Sequence, residues 1–353
     1  MASDVKAVTI RHVATEAGVS LQTVSRVVNN GPNVTEALRE RVTAAIAKLG
    51  YVPNMAARRM GGSKSFLIIA FNDRKRTLEA WQAGRGSDWV AQMLLGAIPV
   101  CEQAGYHFLL ELLDSDANDL SRQISAVISS LSPDGVILTP PFSQDGRILD
   151  QLTTLNVPFA RIGACDDERG HRIVMDDREA AAVATRHLLA LGHRRIGFIA
   201  GSPEYVISAG RLDGYRATMA EAGLTVAEGW VQQSDFGFES GLVAATSLLA
   251  LDKRPSAAIA SSDELALAVL HIASSSGLDV PDHLSLVSFD DTPPVRFSVP
   301  PLTAIRQPIA AMSAKAVGLL IEGHGRDTGY GPVQTLPFEF VIRESTGLAG
   351  EAG

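Results

Sequence analysis

The chain of 353 residues contains only two cysteines, Cys101 and Cys165, and neither belongs to a Cys-x-x-Cys or Cys/His cluster. The sequence therefore indicates neither a zinc site nor a disulfide framework, and both cysteines are predicted to be buried free thiols. No run of about 18 apolar residues occurs, so neither a membrane-spanning helix nor a membrane partner is expected. The first residues also lack the basic-then-apolar pattern of a signal peptide, which predicts a cytoplasmic protein.

The motifs of common enzymes are missing as well. The chain has no nucleophile elbow, no phosphate-binding loop and no pair of carboxylates spaced for acid–base catalysis. The run Gly84-Arg85-Gly86 lacks the strand-to-helix context of a nucleotide-binding loop. The sequence thus predicts no enzyme, no catalytic residue, no metal ion and no cofactor.

Charge is distributed unevenly along the chain. Residues 1–64 contain nine Lys and Arg against four Asp and Glu, a net charge of +5. The remaining residues contain 22 basic and 35 acidic side chains, a net charge of −13, which gives −8 for the whole chain. A basic segment on an otherwise acidic protein is typical of nucleic-acid binding confined to one end.

Residues 9–29 have the pattern of two short helices joined by a tight turn. Thr9 is a candidate N-cap for a helix over Ile10–Ala17, and Ser20 for a second helix over Leu21–Val28. Gly18 lies between them, where a turn needs a positive φ. Small apolar residues recur at helical spacing and can share one core: Val13, Ala14, Ala17, Val19, Val24 and Val28.

The second of these helices leaves a mostly polar face outward, made of Leu21, Gln22, Thr23, Ser25, Arg26 and Asn29. Arg can bridge O6 and N7 of guanine, Gln can bridge N6 and N7 of adenine, and Ser, Thr and Asn suit phosphates. The pattern predicts a helix-turn-helix with a DNA-facing recognition helix. The alternative is a small helical hairpin with a polar face. A third helix over Glu36–Leu49, capped by Thr35 and stopped by Gly50, favours the first interpretation.

Residues 8–60 resemble the headpiece of the lactose-repressor/galactose-repressor (LacI/GalR) family of bacterial transcription regulators. The resemblance is carried by Val13-Ala14, Ala17-Gly18-Val19-Ser20, Thr23-Val24-Ser25-Arg26-Val27, Asn29, Val34-Thr35, Arg39, Val42, Leu49-Gly50-Tyr51, Pro53-Asn54 and Ala57-Arg58. His12 stands where the family usually has Asp, which we interpret as a surface change. The resemblance implies DNA contacts from Thr9, Ser20, Leu21, Gln22, Thr23, Ser25, Arg26, Asn29, Tyr51, Asn54, Ala57 and Met60.

Residues 53–64 are interpreted as a linker that contains a short hinge helix. A helix of six or seven residues is marginal by itself in water. By resemblance, this helix orders on DNA, pairs with its dimer mate and inserts an apolar wedge into the minor groove, which kinks DNA. Met60 stands where the family usually has the Leu of that wedge.

From Ser65 onward, apolar runs alternate with helical patterns and aromatic residues are sparse. The runs that fit buried parallel strands are 66–71, 108–113, 135–139, 159–162, 196–200, 257–260 and 284–289. The segments that fit helices are 89–104, 119–130, 178–191, 208–222, 239–251, 262–276 and 309–320. This alternation predicts a doubly wound α/β body, whose ligands bind beyond the carboxyl ends of the strands.

The body resembles the periplasmic-binding-protein-like effector domain of the same family. The matching segments are 191–201, 211–215, 288–291, 301–305 and 342–345. The predicted organisation is a headpiece over 8–52, a hinge over 53–64, an effector-binding and dimerisation domain over 65–345 and a tail over 346–353. By resemblance, the domain divides into a first lobe of about 65–175 and 307–337 and a second of about 176–306 and 338–345.

Five effector-contacting residues are carried over by resemblance: Trp89, Arg211, Phe236, Ser262 and Asp290. Each has a structural alternative, such as a salt bridge for Arg211, a turn for Asp290 and core packing for the two aromatic residues. Asp263, the residue after Ser262, is a candidate to cap its helix. Tyr205 is equally expected to face the cleft or the solvent. His193 is expected to fix a loop.

The stretch Asn72–Ser87 departs from the family, which usually has a short loop here. A polar loop of this length is usually functional or disordered, so it either covers a larger effector or projects into solvent. It also weakens the alignment of Trp89.

The resemblance implies a homodimeric repressor that binds near-palindromic operator DNA and answers to a small effector. A sugar or glycoside is the first expectation, and a purine or another metabolite is the alternative. A solute-binding protein and a sugar-acting enzyme are the competing classes. The first conflicts with the headpiece and the missing signal peptide, and the second with the missing catalytic motifs.

Overall fold

The computed structural model describes residues 8–28, 31, 33–51, 64–82, 87–115, 119–163, 167–323 and 330–350. Several residues with predicted roles lie outside these ranges: Asn29, Asn54, Ala57, Met60 and Cys165. Among the described residues, no helix is long and apolar enough to cross a membrane.

The headpiece consists of helices α1 (Ile10–Ala17), α2 (Leu21–Val28) and α3 (Glu36–Leu49), with the predicted bounds. Gly18 and Gly50 end α1 and α3 in the left-handed conformation, with φ of 63° and 60°. The Ser20 hydroxyl caps α2 by accepting from the Thr23 N–H at 3.1 Å. Thr35 is the N-cap residue of α3, as predicted, but its side chain makes no capping hydrogen bond.

The body contains two six-stranded sheets. The first has the strands β1 (Leu67–Asp73), β2 (His107–Leu113), β3 (Gly135–Leu138), β4 (Phe159–Ile162), β5 (His171–Val174) and β11 (Gln334–Thr335), in the spatial order β11-β5-β4-β3-β1-β2. All its strand pairs are parallel, and Leu67 of β1 stands opposite His107 of β2.

The second sheet has the strands β6 (Ile196–Ala200), β7 (Val231–Gln233), β8 (Ala257–Ala260), β9 (Ser285–Asp290), β10 (Thr303–Arg306) and β12 (Glu339–Val341), in the spatial order β12-β10-β9-β8-β6-β7. Only the pair β10–β12 is antiparallel among its described pairs. The predicted architecture of a helical headpiece and two doubly wound lobes is confirmed.

Helices cover both sheets. Those of the first lobe are α4 (Arg74–Gln82), α5 (Ser87–Gln103), α6 (Leu120–Leu131), α7 (Gly146–Thr154) and α13 (Ile309–Gly323). Those of the second are α8 (Asp177–Ala190), α9 (Val206–Glu221), α10 (Phe238–Leu249), α11 (Asp263–Ser275) and the short α12 (Pro293–Phe297). Each sheet has an apolar core on both faces, as doubly wound sheets require.

The chain passes between the two sheets three times: between Val174 and Asp177, between Arg306 and Ile309, and between Thr335 and Glu339. Helix α13 packs with the core of the first lobe although its sequence follows the second sheet. Each lobe therefore contains distant segments of the chain, and three short connections join the two.

The sequence missed several elements. The stretch predicted as a long polar loop contains helix α4, over Arg74–Gln82. Asp73 precedes this helix and accepts a hydrogen bond from the Arg76 N–H at 2.8 Å, which supports the first turn. The strands β5, β7, β10, β11 and β12 were also missed, because each has at most two apolar residues and so gives no apolar run.

Candidate functional site

The DNA-binding candidates on α2 lie on one accessible face of the headpiece. Leu21, Gln22 and Arg26 are exposed, whereas Thr23 and Ser25 are half-buried. The opposite face packs Val24 and Val27 into the headpiece core. This arrangement leaves one guanidinium, one amide and an exposed leucine on the same helix surface, which suits base edges in a major groove.

The α1–α2 turn is held by contacts from α3. The Arg41 guanidinium donates to the Ala17 carbonyl at 2.6 Å and so satisfies the carboxyl end of α1. Lys48 forms an ion pair with Glu16 of α1 at 2.6 Å. These contacts fix α1 against α3, and the recognition helix is held on the same core by Val24 and Val27.

Two headpiece residues have roles that the sequence did not indicate. His12 remains exposed, but its Nδ1 accepts from the Thr9 N–H at 3.0 Å, so it caps the amino end of α1. Tyr51, a predicted DNA contact, is 8% exposed and packs in the headpiece core. Its ring therefore supports α3.

A cavity of about 280 Å³ lies between the two lobes. It is lined by Asn72, Trp89, Thr139, Pro140, Tyr205, Ile207, Arg211, Phe236, Ser261, Ser262, Glu264, Asp290 and Gln307. The structure brings all five predicted effector residues into this one wall, and it also places Tyr205 there. The volume is near the lower end of ordinary ligand pockets, about 300–1,000 Å³.

Arg211 extends from α9 and is 1% exposed. Its Nε donates to Asp177 Oδ1 at 2.7 Å, and its Nη1 donates to the Ser261 carbonyl at 2.6 Å. The guanidinium carbon lies 4.4 Å from the centroid of the Phe289 ring. Among the described residues, Nη2 has no hydrogen-bond partner. A buried donor on a cavity wall is expected to bind a ligand acceptor, because leaving it unpaired is costly.

Asp290 ends β9 and presents its carboxylate to the same cavity, with a φ of 102°. Gln307 donates to Asp290 Oδ1, and the Asp263 N–H approaches Oδ2 at 3.4 Å. Burial raises the pKa of the Asp290 carboxyl above its ordinary value, although Arg211 opposes the shift. Burial and the nearby Asp290 also raise the pKa of Asp263. The pair therefore holds protons more tightly than exposed acids.

Aromatic side chains form one end of the cavity. The rings of Tyr205 and Phe236 meet edge to face, with centroids 5.2 Å apart. A Cβ at Gly201 would lie 1.9 Å from the Phe236 ring, so only glycine permits this ring position. Trp89 of α5 lines the cavity from the first lobe. Flat apolar faces and a few polar groups are the usual composition of a small-molecule site.

Ser262 has a structural role in addition to its place on the wall. Its hydroxyl accepts from the Leu265 N–H at 3.3 Å and donates to the Phe236 carbonyl at 3.2 Å. The alternative that Asp263 caps α11 is wrong, because Asp263 is buried and accepts from Thr292 and Ser288. Ser262 thus fixes the backbone of Phe236, and its predicted ligand contact is secondary.

The structure also shows the surroundings of Cys101 and His193. Cys101 is a buried free thiol, and burial raises its pKa to about 12. His193 contacts the Ser256 and Ser285 hydroxyls at 2.9 and 3.0 Å and the Gly347 carbonyl at 3.1 Å. It thus holds the carboxyl-terminal segment on the second lobe, a structural role like the one expected.

Four residues of the cavity wall that the sequence did not predict share one position relative to the strands. Asn72, Thr139, Ser261 and Gln307 each lie at or just beyond the carboxyl end of a strand, as Asp290 does. In doubly wound sheets, ligands bind at these ends. Applied to the predicted strands, the rule finds Asn72, Thr139 and Ser261, whereas Gln307 follows β10, which the sequence did not predict. Asp177 was missed because its partner Arg211 lies 34 residues away.

Comparison with known proteins agrees with both parts of the structure. Residues 9–54 match the lacI family of bacterial regulatory proteins, and residues 185–346 match a periplasmic binding protein-like domain. The transcriptional repressor PurR of Actinobacillus pleuropneumoniae is 33% identical over 342 residues, which are 96% of this chain and 98% of that protein.

Among the similar solved structures, two that cover nearly the whole chain carry a bound ligand. The complex of the regulator CelR with cellobiose is 29% identical, covers 96% of this chain and 99% of its own, and has a TM-score of 0.72. The lac repressor dimer bound to operator and the anti-inducer ONPF is 27% identical, covers 97% and 100%, and has a TM-score of 0.76. The chain belongs to the lacI family of bacterial regulatory proteins, which are DNA-binding transcription regulators and not enzymes.

Proposed function

We propose that the protein is a homodimeric transcriptional repressor whose affinity for operator DNA is controlled by a small, neutral, hydroxyl-rich effector, a sugar or glycoside. A near-palindromic operator follows from two identical headpieces on one two-fold axis. The observation that carries the proposal is the interlobe cavity, whose lining combines Arg211 and Asp290 with aromatic rings. A regulator of this kind acts on DNA in the cytoplasm.

The charges around the cavity favour a neutral ligand. Arg211 is already paired with Asp177, and Asp290 and Glu264 add carboxylates to the wall. No lysine lies among the lining residues. An anionic effector would therefore meet a net negative wall, whereas hydroxyl groups can donate to Asp290 and accept from Arg211 Nη2.

Solved relatives supply related examples. The CelR structure contains cellobiose, and the lac repressor dimer is bound to operator and to ONPF. A purine is the second candidate, because Tyr205 and Phe236 also offer flat faces to a base. Both candidates place the same residues in contact with the ligand.

The proposed dimer has a candidate surface on the first lobe. Leu95 and Ile98 lie one turn apart on α5 and are 63% and 40% exposed, and Leu109 on the edge strand β2 is 36% exposed. Adjacent exposed apolar side chains of this kind mark protein interfaces. We assign this surface to the contact between the first lobes of two subunits.

A thermal-shift screen of the purified protein with neutral sugars, purine bases and sugar phosphates tests the effector class. Operator sequences are first selected from random double-stranded DNA, and the best ligand is then titrated against the protein–operator complex by fluorescence anisotropy. A neutral sugar that stabilises the protein and changes operator affinity is the expected result. Stabilisation by purines alone would replace the sugar assignment, and no selected operator would contradict the repressor assignment.

A further inference from the structure

Helix α4 brings charged side chains to the mouth of the interlobe cavity. Arg76 on this helix forms an ion pair with Glu204 of the second lobe, with Nη2 and Oε2 3.0 Å apart. The same guanidinium lies over the ring of Tyr205, 5.2 Å from its centroid. Since Tyr205 is a wall residue of the cavity, this cross-lobe contact is directly attached to the proposed effector site.

A second contact, made by the side-chain amide of Gln144, crosses the cleft beside the ion pair of Arg76 and Glu204. Gln144, at the end of the turn Phe142–Gln144 in the first lobe, donates to the Glu204 carbonyl. Its Oε1 accepts from the Val206 N–H at 3.0 Å. The amide therefore holds the backbone on both sides of Tyr205.

We propose that Arg76, Gln144 and Glu204 form a gate that controls the entry of solutes into the interlobe cavity. The gate is anchored on the first lobe, because Asp73 accepts from the Arg76 N–H and from the Ser115 hydroxyl. It is released by separating the first lobe from Glu204 and Val206, which uncovers the edge of Tyr205. The cavity itself is the effector site proposed above, so the inference rests on that assignment.

The ion pair of Arg76 and Glu204 is weak enough to break and re-form, as a gate requires. The Arg76 and Glu204 side chains remain 41% and 69% exposed, and exposed ion pairs are weak and screened by salt. Thermal motion can therefore open them, whereas a buried lock would keep the effector out. A ligand that extends through the mouth must displace Arg76 from Tyr205, so the gate also selects against long ligands.

The test uses a neutral quencher, acrylamide, and needs no effector. In a Trp81→Phe background the remaining tryptophans are Trp89, on the cavity wall, and Trp230, which is 8% exposed in the core. Collisional quenching of fluorescence then reports mainly on access to Trp89.

Arg76→Glu adds an acid near Glu204, Asp73 and Asp235, and we expect it to raise the Stern–Volmer constant at least twofold. Gln144→Ala should also raise the constant. The charge swap R76E/E204R should return it to the value of the parent protein, and high salt should raise it in the parent. Arg122→Glu is the matched control, because Arg122 pairs with Asp119 within the first lobe at 2.7 Å.

An unchanged constant in R76E, or a swap that fails to restore protection, would overturn the gate. If the parent protein binds no sugar in a separate titration, that result would instead contradict the effector class, since quenching is measured without a ligand. The two failures are therefore distinguishable.

Discussion

At the scale of single residues, the cavity wall contains an arginine whose guanidinium is only partly paired by the described residues. Arg211 uses Nε and Nη1 to hold Asp177 and the Ser261 carbonyl, which fixes the plane of the guanidinium. The remaining Nη2 has no partner among the described residues. The protein thus orients the group in advance, so little conformational entropy is lost when a ligand binds.

Arg211→Lys should weaken effector binding by about 10–100-fold, because one ammonium cannot replace the planar fork that donates in three directions. Operator affinity without effector should change little. Isothermal titration with the effector found by the screen measures the first effect, and fluorescence anisotropy with operator DNA measures the second. Arg122→Lys is the control, and equal effector affinity in R211K and the parent protein would remove Arg211 from the site.

The acids Asp290 and Asp263 give the protein a defined pH dependence. Because burial raises the pKa of both above the unfolded value, the folded state binds protons more tightly than the unfolded state. Unfolding therefore releases protons, and the free energy of unfolding falls as the pH rises from the ordinary carboxyl pKa through the raised values.

Asp290→Asn removes one of these charges, keeps an acceptor for Gln307 and tolerates the positive φ, which Asn adopts readily. We expect the midpoint of thermal unfolding to rise by about 2–4 °C at pH 8, as a change of about 1 kcal/mol would produce. At pH 4 the variant and the parent should be nearly equal. A difference in midpoint that is independent of pH would contradict the assignment.

At the scale of elements, the helical periodicity of α2 places its core-packing residues and its predicted DNA-contacting residues on different sides of the helix. Val24 and Val27 face the headpiece core, and Gln22 and Arg26, four residues apart, share the exposed side. The Ser20 cap and the Arg41 contact hold both ends of the turn between α1 and α2. Changes on the exposed side should therefore alter DNA recognition with little effect on folding.

Arg26→Ala should weaken binding to the selected operator by about 1–3 kcal/mol, the usual range for one bidentate base contact. Binding to random DNA should fall much less, because phosphate contacts by other residues persist. Anisotropy titrations with both DNAs measure the difference, and Arg122→Ala is the control. An unchanged ratio between operator and random DNA would show that Arg26 does not read bases.

At the scale of the whole molecule, three chain connections join two lobes that each have a separate core. Gln307, in one connection, donates to Asp290 in the cavity, and Arg306 beside it pairs with buried Asp291 at 2.7 Å. A ligand that competes for Asp290 thus acts on the segment between the lobes. A change in operator affinity requires the ligand to bind one lobe arrangement more tightly than the other.

The subunit contact belongs to the same scale. Replacing Leu95 and Ile98 together by Asp should convert the dimer to a monomer, because charges would be buried in an apolar interface. Analytical ultracentrifugation measures the assembly, and operator binding should fall with it because two half-sites are no longer linked. Leu348→Asp, at a site 80% exposed on the second lobe, is the control. A double variant that remains dimeric would place the interface elsewhere.

The sequence by itself determined the headpiece and the architecture of the body. The bounds of α1, α2 and α3 and of β4, β6 and β8 were predictable because caps, left-handed glycines and apolar periods are local signals. Five wall residues were predicted through resemblance to a family, and one of them, Asp290, also lies at the carboxyl end of a strand. Helix α4 was not, since its polar sequence has little apolar periodicity and Asp73 supports its start.

Only the tertiary structure decided how distant residues meet. Arg211 and Asp177 are 34 positions apart, Gln144 and Val206 are 62, and Arg76 and Glu204 are 128. No local pattern encodes such pairs, because their geometry depends on how two sheets and three connections pack together. The buried Arg211 donor, which has no partner among the described residues, and the contacts across the cavity mouth are therefore properties of the folded chain. The recognition helix, in contrast, is already visible in the order of its residues.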